Sequence, residues 1–199
     1  AAFVDIGTEK AGFLHVSDLN YGEDEDEDPE AENGDGDGND RGRGRRRPTK
    51  SPPIQQSIQK GQSILVQVTK EPISTKGSRL TAQVSLPGRF MVYMPYTSHV
   101  GVSRKIEGRD QRSKLRKMAK QIVKPGSGGM IVRTVGEEVT KNKLGNEYKF
   151  LHESWKKIQS RAKGRKAPAP VHREAQLISG VIRDLFSDKF DAVRIDSKQ

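Results

Sequence analysis

Apolar residues in this chain fall into short alternating runs at first and into helix-spaced stripes later. AAFVDIG (Ala1–Gly7) and GFLHV (Gly12–Val16) read as two strands joined by a turn. SILVQVTKE (Ser63–Glu71) and RLTAQVSL (Arg79–Leu86) repeat the pattern around PISTKG, a Gly-bearing turn. Four strand runs with turn-rich joins predict an OB-type barrel lacking one strand. The absent strand is expected before Ala1, where the chain opens abruptly on a strand-like run.

After Leu86 the period changes. RFMVYMP (Arg89–Pro95) predicts a strand. Arg109–Val123 predicts a basic amphipathic helix, with Leu115, Met118, Ala119 and Ile122 on one face. GMIVRTV (Gly129–Val135) predicts the next strand. Thr140–Ala162 predicts a longer helix, punctuated at Leu144-Gly145, with Phe150, Leu151, Trp155 and Ile158 as its stripe. KGRKAPAP reads as a linker, followed by a helix over Glu174–Phe186 and a strand over Asp191–Asp196. Strand alternating with helix implies an α/β unit following the barrel in sequence, so the overall class is α+β.

Composition changes this picture at one place. Of 199 residues, 32% are hydrophobic and 31% charged, so part of the chain is expected to stay unpacked. Tyr21–Pro53 is acidic, then Gly/Asp-rich, then Arg-rich, and almost free of apolar residues, which predicts disorder. A tolerated surface-loop insertion is its plain reading. Its DGDGND run lacks the twelfth-position glutamate of a calcium loop.

Net charge is +10, but Glu23–Lys50 alone holds 11 acidic and 6 basic residues. The remainder carries +15, the footprint of a polyanion-binding surface. There is no cysteine, which excludes disulfides, thiol catalysis and thiolate zinc sites and fits a reducing cytoplasm. No run approaches the roughly 18 apolar residues of a membrane span.

Two constellations carry candidate chemistry. OB barrels hold single strands by stacking bases on exposed aromatics while lysines track phosphates. Phe3 and Phe13, on strands joined by a short turn, suit the first task; Lys70 and Lys76 suit the second, with His15 as a further surface contact. On periodicity alone both phenylalanines are equally readable as core residues. The second constellation is LPGRFMVYMPYTSHVGVSRKIEG (Leu86–Gly108) with GMIVRTVG (Gly129–Gly136). Arg133 and Thr134, side by side at a strand end, present guanidinium and hydroxyl donors to a phosphate. A polar strand end with an exposed ion pair is the alternative there.

AAFVDIG and GFLHVSDL, then GQSILVQVTKEPISTKGSRLTAQVSLPGRFMVYMP, GVSRKIEG and GMIVRTVG, closely resemble the bacterial and plastid ribonuclease E/G family. The resemblance covers nearly all of the chain outside Tyr21–Pro53. It implies an S1-type OB domain over residues 1–82, a 5′-sensor region over 83–177 and the start of an RNase H-like segment over 178–199. Phe3 and Phe13 match the family's RNA-stacking positions and Lys76 its turn lysine. Arg133 and Thr134 match the pair that binds the 5′-monophosphate, and Gly88 and Val92 match positions lining the terminal nucleotide. Arg89 intervenes where the family varies, and Arg104 and Lys105 resemble a basic pair near the sensor.

The family's chemistry implies Mg²⁺ held by paired aspartates beyond Gln199, in a homo-oligomeric, cytoplasmic enzyme. In this chain Asp5, Asp18, Asp110, Asp184 and Asp196 are scattered, as are His15, His99, His152 and His172, so no catalytic residue and no metal site is expected. The expectation is therefore the RNA-recognition portion of a single-strand endoribonuclease that senses 5′-monophosphate ends and does not itself cleave. A non-catalytic RNA-binding module is the alternative. A scaffold tethering partners through the insertion is a third reading.

Overall fold

The computed structural model describes residues 1–19, 53–173, 180, 183, 191, 192 and 194. The insertion, the helix expected over Glu174–Phe186 and the strand expected over Asp191–Asp196 fall wholly or mostly outside them. The chain divides into two compact units, Ala1–Val84 and Ser85–Gln199. Each holds a four-stranded mixed sheet.

In the first unit, β1 (Ala2–Val4), β2 (Gly12–Leu14), β3 (Gln67–Lys70) and β4 (Arg79–Thr81) lie in the order β1-β2-β4-β3. β2 and β4 run parallel, and each pairs antiparallel with an edge strand. A short helix α1 (Ile54–Ser57) precedes β3. Period-two alternation turns Leu14 and Leu80 fully inward. They pack with Leu19, Ile54 and Ala82, and Val4, Ile58, Ile64 and Val66 close the rim.

RLTAQVSL does not form one strand. β4 stops at Thr81, and β5 (Leu86–Pro87) belongs to the other sheet. The break follows from a local competitor for backbone donors. The Asp18 carbonyl takes the Ala82 N–H at 2.8 Å and the Thr81 hydroxyl at 3.3 Å, so the chain leaves the β3 ladder there.

In the second unit, β5, β6 (Met91–Met94), β7 (Val100–Val102) and β8 (Gly129–Val132) lie in the order β5-β6-β8-β7. β7 is not among the strands expected from sequence. It pairs parallel with β8 through α2 (Arg109–Lys120), a βαβ crossover. Met91, Tyr93, Met130 and Val132 point to the buried side, while Val92 and Ile131, paired across the ladder, are half-buried on the other. α2 packs on β7 and β8 through Leu115 and Ala119, and α3 (Lys141–Lys163) packs on β6.

α3 runs unbroken through Leu144-Gly145. One helical glycine costs about 1 kcal/mol, and buried Leu144 and Tyr148 on either side outweigh it. The helix's buried stripe is Leu144, Tyr148, Leu151, Trp155 and Ile158, whereas Phe150 is 70% exposed and not part of it. The Thr140 hydroxyl caps the helix by accepting from the Lys143 N–H.

Tyr93 and Tyr148 cross edge-on at 5.5 Å, and both hydroxyls donate to the Ser127 carbonyl, at 2.9 and 2.7 Å. Burial, reinforced by Tyr148, pushes the Tyr93 phenol up to about 12 from 10.0. The unfolded phenol ionises first as pH rises, so stability falls from pH 10 towards 12. Tyr93→Phe is expected to make that alkaline loss shallower, read as urea midpoints by circular dichroism across the window. Leu80→Ala is expected to destabilise the first unit by about 2–5 kcal/mol in the same assay.

Candidate nucleic-acid interface

Phe3 faces Phe13 in the β1/β2 register, and both side chains lie on the side away from Leu14. Phe3 is 78% and Phe13 36% exposed, and their rings meet at 6.0 Å, edge to face. Exposed neighbouring aromatics of this kind offer two π-faces to solvent. The His15 ring lies 6.4 Å from Phe13, and its Nδ1 accepts the Ser17 N–H, capping the 3-10 turn Val16–Asp18.

Lys70 ends β3 and is exposed. Lys76 sits in the β3–β4 loop, where it and Ile73 exchange backbone hydrogen bonds at 2.9 and 3.2 Å. The loop is pinned against the β1–β2 turn. Lys10 Nζ donates to the Ser74 carbonyl at 2.6 Å, and a Cβ on Gly77 would strike the Ala11 carbonyl, so the loops meet only because Gly77 has no side chain. The first unit thus carries Phe3, Phe13, Lys70 and Lys76 on exposed positions.

The second unit brings Gly88 and Arg133 together. Arg133 Nη1 donates to the Gly88 carbonyl at 2.6 Å, and its backbone N–H donates to the Phe90 carbonyl at 2.8 Å. Thr134, exposed, opens the 3-10 turn that follows β8. Val92 lies on the half-buried outer face of β6, paired with Ile131 on one side and Pro87 on the other. Arg104 and Lys105 are exposed between β7 and α2.

One residue that sequence reasoning missed shapes this region. Glu147, on α3, accepts the Arg89 N–H at 2.6 Å on Oε1 and the Phe90 N–H at 2.9 Å on Oε2. The carboxylate therefore holds the β5–β6 turn by two charge-assisted bonds. A Cβ on Gly88 would lie 2.8 Å from the Glu147 carboxyl and 3.0 Å from Leu151 Cδ1. No sequence pattern links residues 58 positions apart. Arg89 lays its guanidinium 5.4 Å above the Phe90 ring, and its buried Nε has no hydrogen-bond partner among the described residues.

Residues 85–199 match the model of the ribonuclease E/G family. This chain belongs to that family. Over its whole length it is 35% identical to ribonuclease G of Haemophilus influenzae and 36% identical to ribonuclease G of Escherichia coli K12. Over 99% of its length it is 37% identical to ribonuclease E of Synechocystis. It spans 37% of each ribonuclease G and 26% of that ribonuclease E.

Among the described residues no three His, Asp or Glu side chains converge as a metal site. Nor is any described helix long and apolar enough to cross a membrane.

Glu147→Ala is expected to leave two backbone donors of the turn unpaired and to cost about 1–3 kcal/mol in urea unfolding. Gly88→Ala should destabilise in the same direction, because its methyl displaces the same carboxylate.

Proposed function

We propose that this chain is the RNA-recognition portion of an endoribonuclease that acts on single-stranded RNA and reads 5′-monophosphate ends. Membership of the ribonuclease E/G family supports the ribonuclease part. The observation carrying the recognition part is the close approach of Arg133 to Gly88, with Thr134 next in sequence. A terminal monophosphate carries more charge and more acceptor oxygens than an internal phosphodiester. A guanidinium beside a hydroxyl favours it, and the walls at Gly88 and Val92 take the terminal nucleotide.

The first unit is an S1-type OB domain that holds the strand. Its order, two antiparallel pairs joined by the parallel β2/β4 pair, suits a barrel whose fifth strand would bridge the edges of β1 and β3. Phe3 and Phe13 stack bases, while Lys70 and Lys76 neutralise phosphates. In the whole enzyme, which would work in the cytoplasm as a homo-oligomer, paired aspartates outside these 199 residues would hold Mg²⁺, whose chemistry is the activation of water. The residues 178–199 begin an RNase H-like segment. This chain alone binds RNA and does not cleave it.

The test compares short RNAs with 5′-monophosphate and 5′-hydroxyl ends by fluorescence anisotropy. The parent is expected to prefer the monophosphate by about tenfold or more, the scale of one charge-assisted hydrogen bond. Arg133→Ala removes that preference, and exposed Thr134→Ala reduces it without touching the Gly88 turn. Equal affinities in the parent would refute end sensing, and Mg²⁺-dependent cleavage by the chain would refute its inactivity.

A further inference from the structure

The register of the first sheet aligns more than the two phenylalanines. Phe3 stands opposite Phe13, Phe13 opposite Arg79, and Arg79 opposite Lys70. Residues opposite one another share a face of the sheet. One step along, Leu14 and Leu80 form the matching pair on the buried side. The exposed side therefore carries a row over three strands, ring, ring, guanidinium, and exposed Lys70 follows on β3 past a bulge between Val68 and Lys70. At about 4.8 Å between strands, Phe3 and Arg79 stand roughly 10 Å apart at the backbone.

Arg79 is held in that row. Its Nη2 donates to Asp18 Oδ2 at 3.3 Å, with the Arg79 side chain 49% and the Asp18 side chain 24% exposed. Asp18 is itself fixed, since its backbone carbonyl accepts from Ala82 and Thr81. A half-exposed ion pair of this kind adds little stability. It does restrain the direction of a flexible side chain. A restrained guanidinium presents a flat, weakly hydrated face on which a base can stack.

We propose that Arg79 is a third base-contacting residue, stacking the nucleotide next to the one on Phe13, with Asp18 as its positioning residue. The ligand is single-stranded RNA, engaged through the π-face of a base. This rests on the reading of the first unit as the strand-holding domain. It adds to that reading a specificity for planar contact, where Lys70 at the row's end supplies charge alone.

The experiment titrates the full chain and its variants with a 5′-hydroxyl oligoadenylate of about 12 nucleotides, within the span one OB fold covers. The hydroxyl end takes the sensor out of the measurement. Phe13→Ala and Arg79→Ala are each expected to weaken binding by about 5- to 100-fold, the cost of one lost stack. Arg79→Lys preserves the charge and the pairing with Asp18. It should keep the parent's salt dependence, which lysine and arginine supply alike, yet bind as weakly as Arg79→Ala. Full affinity in Arg79→Lys would overturn the stacking assignment, because charge would then suffice. Parental affinity in Arg79→Ala beside weakened Phe13→Ala would overturn Arg79 alone. Parental affinity in both alanine variants would overturn the strand-holding reading itself.

Discussion

Both carboxylate oxygens of Glu147 take backbone N–H groups of the β5–β6 turn, and the rest of the second unit is arranged around that contact. The turn has no room for a side chain at Gly88, because the carboxyl group and Leu151 fill the space. With the turn held down, the Gly88 carbonyl meets the Arg133 guanidinium and the Phe90 carbonyl meets the Arg133 N–H. α3 can supply Glu147 only because Leu144, Tyr148, Leu151 and Trp155 seat it firmly against the sheet. An acidic side chain thus builds a site proposed for an anion, by using its charge on the backbone.

The first unit solves a different problem with fewer means. Its core is small, and Leu14 and Leu80 carry its centre. The same alternation that buries them forces Phe3, Phe13 and Arg79 onto the other face. Leaving Phe3 largely in water is unfavourable for a folded chain by itself. A base stacked on it would recover that loss, which is why an exposed aromatic pair suits a single-strand binder.

In the proposed function the two units divide the recognition of a strand into contacts along it and contacts at its end. Neither needs a nucleophile, and neither holds a carboxylate cluster among the described residues. The +15 charge on the sequence outside the acidic insertion draws in any polyanion without discriminating among them. In that proposal discrimination comes from short-range geometry: flat faces in the first unit, and a donor pair beside a glycine in the second.

Hydrophobic period alone determined most of the element list. It located β1, β2, β6, β8, α2 and α3, because each repeats an apolar spacing over its own length. β7 escaped it, and RLTAQVSL reads as one strand where tertiary hydrogen bonds to Asp18 divide it. The choice of Phe150 over Tyr148 shows the limit within one helix. Both are aromatic, and only the direction of the sheet decides which is buried. Motif resemblance picked out Phe3, Phe13, Gly88 and Arg133, but not what holds them. Asp18 pairs with Arg79 across 61 positions, and Glu147 reaches Arg89 across 58. Local sequence encodes conformational preference along the chain, whereas such partners are chosen by packing, where a charge finds whichever donor the fold brings within 3 Å or so.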